Sequence, residues 1–121
     1  MNTLFVVAMG SALGGALRFF IGQKVDQAVD AQFPWGTLFV NVLGCFLIGA
    51  LSVSLKTFDK ENLRLFLLPG FLGGFTTFSA FSLQSLELFQ RAHISLACAH
   101  VLLSLLACLL ATGFGTYLFA K

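Results

Sequence analysis

Residues 70–82 read Gly-Phe-Leu-Gly-Gly-Phe-Thr-Thr-Phe-Ser-Ala-Phe-Ser, in the middle of an uncharged run from Leu65 to Leu86. Such a run is long enough to cross a bilayer as a helix. Yet Pro69, Gly70, Gly73 and Gly74 stand inside it, beside the hydroxyls of Thr76, Thr77, Ser79 and Ser82. A plain lipid-facing anchor has no need of them. Irregular backbone at membrane depth persists only where it is buried in protein or lines a water-filled cavity. A helix broken there offers carbonyls to a cation and N–H groups to an anion. The stretch therefore predicts a site for an ion or polar solute at the bilayer midplane, built on the third of four spans.

The composition agrees with a membrane chain. Of 121 residues, 58% are hydrophobic and only 10% charged, where a soluble domain carries about a quarter charged. Charge-free runs occupy Met1–Leu17, Ala31–Leu55, Leu65–Leu86 and Ala92–Ala120. Each is close to or above the ~17–25 residues of a membrane helix. The expected architecture is all-α: one four-helix transmembrane domain over residues 1–121, with spans at about 3–22, 35–55, 65–87 and 94–119. No Lys or Arg precedes the first run, so it lacks the basic start of a signal peptide and reads as a mature helix. Four short helices offer little surface for a pore within one chain, so an oligomer is expected.

Polar residues inside the spans are few. Gly10 and Gly14 in the first span form a small-xxx-small pair that permits close helix contact. Arg18 near its end either snorkels to the interface or draws anions into a vestibule. Pro34 and Trp35 open the second span, whose one strongly polar residue is Asn41. A buried amide must find partners: an interhelical hydrogen bond is one reading, a polar centre shared with the broken third helix the other. In the fourth span Ser104, Cys108, Thr112 and Thr116 are spaced by four and share a face. They read either as hydroxyls bonded back to their own helix or as a weak polar track.

Other chemistries find little support. There is no phosphate loop and no nucleophile–base pair, so the chain does not read as an enzyme. Asp26, Asp30, Asp59, Glu61 and Glu87 all fall at helix ends or in loops, leaving no midplane acid for proton coupling. His93 and His100, seven apart on one face with Cys98 near, read as interfacial histidines and are too few for a metal site of ordinary spacing. Cys45, Cys98 and Cys108 all lie within spans and make no disulfide framework. A net charge of +2 is too small to point to nucleic acid.

With four spans both termini share a side, together with Lys56, Lys60, Arg64 and Lys121; the other side holds Arg18, Lys24 and Arg91. So small a bias gives the positive-inside rule no firm orientation. A chain that inserts both ways can pair with an opposite copy, forming an inverted repeat from separate chains.

Taken together, three motifs resemble the small bacterial fluoride channels called CrcB or Fluc: Gly-Gly-Ala-Leu-Arg-Phe at 14–19, Trp-Gly-Thr-Leu-Phe-Val-Asn-Val-Leu-Gly at 35–44, and the stretch at 70–82. The resemblance covers the whole chain. It implies a passive, fluoride-selective channel of the bacterial inner membrane, exporting fluoride from the cytoplasm. It also implies a lipid-embedded, dual-topology antiparallel homodimer with two pathways. By the same resemblance, Phe78 and Phe81 line each pathway with Asn41, Arg18, the hydroxyls Thr77, Ser79 and Ser82, and Thr112 of the fourth helix. A central structural sodium ion would be held by backbone carbonyls matching Gly73 and Thr76. Ala80 departs from the pattern, standing where the family commonly carries a hydroxyl.

The residues suit that chemistry. Fluoride is small, hard and strongly hydrated, and Asn, Ser and Thr can replace its water with donors. Phenylalanine edges carry partial positive charge and can face an anion without trapping it, as conduction requires. Phe78 and Phe81 are three apart, on one helical face, although among fifteen phenylalanines packing is the alternative. Two other functions compete. A small dual-topology multidrug-type transporter would want a membrane-embedded carboxylate. A non-transporting scaffold would leave Asn41 and the glycines unexplained.

Overall fold

A computed structural model describes residues 2–120; Lys121, counted in the charge balance above, lies outside them. The described chain is all-helical, with four segments long and apolar enough to cross a membrane. The first is α1, Thr3–Val29, capped by the Asn2 side chain, which accepts from the Leu4 amide. The second is α2, Trp35–Ser54, followed by a single 3-10 turn, Leu55–Thr57. The third comprises α3 (Glu61–Leu65), a wider coil (Phe66–Leu72), α4 (Gly73–Phe75) and α5 (Phe78–Gln90). The last is α6, Ile94–Phe119.

The first helix is longer than the sequence implies. Residues 23–29, beyond the expected first span of about 3–22, continue α1 to Val29. No Gly or Pro follows Gly22 until Pro34, so nothing local stops the coil. It ends where Asp30 turns left-handed at φ 45° and donates its amide to the Asp26 carbonyl. Asp26 also reaches across the corner, its Oδ1 accepting from the Gly36 amide at 2.8 Å. That bond satisfies a first-turn donor of α2 that no intrahelical carbonyl can reach. The third segment likewise starts earlier than expected, at Glu61, and runs to Gln90.

Pro69 explains the wide coil. Lacking an N–H, it cannot join an ordinary helical ladder, and residues 66–72 adopt the wider π-type pattern instead. Gly73 and Gly74 are themselves helical. The backbone is extended two residues later, at Thr76 (φ −90°, ψ 154°) and Thr77 (φ −146°, ψ 120°).

Close approaches set the packing. α1 runs parallel to the third segment: a Cβ on Gly14 would strike the Phe71 carbonyl and approach the Phe75 amide to 2.9 Å. α2 runs parallel to α6. Phe33 and His100 meet edge-on at one end, with ring centroids 5.4 Å apart. Further along, Gly49 lies against the Thr112 carbonyl, within 3.0 Å of the Thr116 amide for an added Cβ. Small residues are what permit such backbone contact where lipid tails supply no hydrophobic drive. Long apolar side chains such as Leu109, Leu110 and Tyr117 point outward, as a lipid-facing surface requires.

Candidate functional site

Interrupting a helix leaves N–H and C=O groups without partners, and in an apolar setting each must be satisfied. Here α1 and α2 supply the partners. The Thr77 amide, which in a continuous helix would bond the Gly73 carbonyl, donates to Asn41 Oδ1 at 2.8 Å. Asn41 Nδ2 donates in return to the Thr77 carbonyl at 3.0 Å. Arg18 Nε donates to the Gly74 carbonyl at 3.1 Å, and Ser11 Oγ to the Gly70 carbonyl at 3.2 Å. Thr77 also caps α5: its Oγ1 accepts from the Ala80 amide at 3.1 Å and pairs with Ser79 Oγ at 3.2 Å. Thr76 Oγ1 donates back to the Leu72 carbonyl.

A cleft of about 290 Å³ opens beside this point, lined by Asn41, Cys45, Thr76, Thr77, Phe78, Phe81, Ser104 and Cys108 with two leucines of α6. A second, of about 610 Å³, lies on the Arg18 side and includes Gln23, Asp26, Thr37, Thr77 and Gln84. Thr77 lines both, so the extended residues stand between a narrow, mostly apolar cleft and a wider polar vestibule. α5 begins here, and its N-terminus carries partial positive charge.

Phe78 and Phe81 have ring centroids 5.2 Å apart, but they differ in setting. Phe78 is 74% exposed, whereas Phe81 is 8% exposed and packs on His100 at 5.1 Å between centroids. His100 is fully buried, with Nδ1 3.0 Å from Ser85 Oγ. Ser85 gives its own proton to the Phe81 carbonyl at 2.7 Å, so Nδ1–H is the donor to Ser85. His100 Nε2 and Ser104 Oγ are buried without a hydrogen-bond partner among the described residues.

The tertiary structure thus gathers Asn41, Thr76, Thr77, Phe78 and Phe81 at one cleft and sets Arg18 in the adjoining vestibule. Ser79 sits at the rim through Thr77. Ser82 is exposed on α5, Gly73 is exposed one turn before Thr77, and Thr112 bonds back to the Cys108 carbonyl; none of these three lines the cleft. Sequence reasoning left Cys45 and Ser85 without a role and read His100 as an interfacial histidine; the fold buries it completely. The four-residue spacing that marked Ser104 and Cys108 is the signal that leads to them, once α2 is known to face that stripe.

A family model described as CrcB-like protein, Camphor Resistance (CrcB), matches residues 5–116. The chain is 51% identical over 93 residues to a protein of Rhizobium etli (strain CIAT 652) named fluoride-specific ion channel FluC, covering 75% of this chain and 74% of that one. A protein of the same name from Chelativorans sp. (strain BNC1) is 44% identical over 120 residues, covering 98% and 96%. Another, from Hahella chejuensis (strain KCTC 2396), is 42% identical over 114 residues, covering 93% and 90%.

Proposed function

The chain belongs to the CrcB family, and from that premise we propose how it works. It is a fluoride-specific ion channel, not an enzyme, and it lets fluoride leave the cytoplasm down its gradient. One observation carries the mechanism: the cleft beside Thr77 combines hydrogen-bond donors with aromatic rings and holds no charged side chain.

Fluoride enters through the vestibule, where the Arg18 guanidinium beside the Gly74 carbonyl offsets the carboxylates of Asp26 and Asp30. Arg18 Nε is committed to the Gly74 carbonyl, so the guanidinium is tethered at the rim and does not follow the ion. The ion then passes Thr77 into the cleft. Thr77 and Ser79 hydroxyls, the second N–H of Asn41 and the unpartnered Ser104 Oγ replace its hydration. The edges of Phe78 and Phe81 carry it between donors. With no fixed cation among the cleft residues, no step binds so tightly that exit stalls. Ser82, exposed one turn beyond Phe78 on α5, extends the path outside the cleft.

The working unit is an antiparallel homodimer of dual topology in the bacterial inner membrane, with two pathways. Its third helix is broken at the membrane midplane. The near-even charge balance across the spans supports this, and so does the 74% exposure of Phe78 at the cleft's edge, where a facing copy would complete the wall. A structural sodium ion sits on the dimer axis, held by the carbonyls of Gly73 and Thr76. The Gly73 carbonyl is free to do so because the Thr77 amide has gone to Asn41, and carbonyl dipoles alone can hold such an ion. Fluoride efflux from vesicles containing only this protein tests the function: a fluoride electrode should record release that fluoride-loaded vesicles without the protein do not show. Silence from well-folded protein would end the reading.

A further inference from the structure

Because α2 and α6 run parallel, each close contact between them recurs one turn away on both helices. Gly49 lies against Thr112. One turn earlier on each helix stand Cys45 and Cys108, and one turn earlier again Asn41 and Ser104. All four of these line the cleft. Gly49 draws the backbones together, and one turn earlier on each helix both thiols border the same cleft. Both are partly exposed to the cleft, whereas the third cysteine, Cys98, lies exposed elsewhere on α6.

We propose that Cys45 and Cys108 form a two-thiol site for a soft, two-coordinate metal ion of the mercury(II) class, and that its occupancy closes the cleft. Soft thiolate ligands select soft metals. Two sulfur–metal bonds form, and each thiol releases one proton to solvent, so a divalent ion ends as an uncharged bis-thiolate. That neutrality suits an apolar cleft, where an isolated charge is costly. Zinc in a structural site takes four protein ligands, and no three His, Cys, Asp or Glu side chains gather among the described residues. Hard cations such as calcium prefer oxygen ligands. The chemistry therefore favours a metal satisfied by two sulfurs. The bound ion would sit one turn from Asn41, in the cleft that Phe81 also lines.

The binding half does not depend on the channel reading; the closing half rests on it. The purified full-length Cys98→Ser protein is titrated with mercuric chloride, and free thiols are then counted with a maleimide. One equivalent of metal should protect both thiols, and the intact mass should show one mercury per chain with two protons lost. Cys45→Ser and Cys108→Ser in the same background should each hold mercury on the order of 100-fold more weakly, since one tether is gone. Two mercury ions per chain, or protection unaffected by either serine, would overturn the site. In vesicles, one equivalent should stop fluoride efflux from Cys98→Ser protein, and excess dithiothreitol should restore it. Each serine variant is compared with its own metal-free rate. Persistent flux with both thiols protected would refute closure. Absence of flux before metal is added would instead refute the channel reading, and the thiol count would still decide the site.

Discussion

Asn41 and Thr77 are joined by two hydrogen bonds, from Asn41 Nδ2 to the Thr77 carbonyl at 3.0 Å and from the Thr77 amide to Asn41 Oδ1 at 2.8 Å. One side-chain amide thus answers both backbone groups of an extended residue, as a neighbouring strand would. The two readings that Asn41 carries in the sequence, interhelical tie and pathway donor, therefore meet in one residue.

Removing that tie should cost stability and flux together. Asn41→Ala leaves the Thr77 amide and carbonyl unpaired, at about 1–3 kcal/mol for each buried group. Asn41→Asp keeps the acceptor for the Thr77 amide but turns a carboxylate oxygen toward the Thr77 carbonyl. Both variants should melt earlier than the parent in detergent, and Asn41→Asp should lose fluoride efflux entirely. An Asn41→Asp protein with parental melting and flux would remove Asn41 from both roles.

Phe78 and Phe81 should separate in stability and agree in function. Phe81→Ile gives up ring contacts with His100 and Phe78, worth about 0.5–1.5 kcal/mol each; Phe78→Ile, on an exposed side chain, should change the melting of a single chain little. If the ring edges guide the ion, flux collapses in both, while Phe66→Ile and Phe89→Ile, outside the cleft, keep it. Equal tolerance at all four positions would make the rings ordinary packing.

Glycine positions offer a test of the fold itself. Gly14→Ala drives a methyl into the Phe71 carbonyl, which cannot move without shifting the coil before Thr76. Overpacking of this kind costs about 1–3 kcal/mol. Gly113→Ala meets nothing within 4 Å and should stabilise α6 by about 0.5–1 kcal/mol. Thermal melts of the two variants should move in opposite directions.

The sodium site predicts a cation requirement. Replacing sodium with a bulky organic cation on both sides of the vesicle should reduce flux and loosen the dimer. Unchanged flux and dimer stability would exclude a structural sodium.

Dual topology predicts two orientations in one membrane. With the native cysteines replaced, a Lys60→Cys reporter should be reached by an impermeant maleimide from either face of the membrane, each time in part of the population. Labelling from one face alone would exclude an antiparallel pair. Extra lysines at one end of the chain should bias insertion and lower flux.

Four spans are legible in the sequence because hydropathy is local: an uncharged run of twenty residues crosses a bilayer whatever its neighbours do. The three motifs were equally readable, and with them the family and its fluoride chemistry. The glycines marked the third segment as unusual, although the extended backbone lies at Thr76 and Thr77, where β-branched side chains favour it. The full length of α1 was hidden because Gln23–Val29 is polar yet free of helix breakers. Partners were beyond reach. That Arg18 spends Nε on the Gly74 carbonyl, that Asn41 holds Thr77, and that Cys45 and Cys108 border one cleft all depend on which helices run parallel and at what register. Register is set by where glycines let backbones touch, and a sequence lists those glycines without saying which carbonyl each will meet.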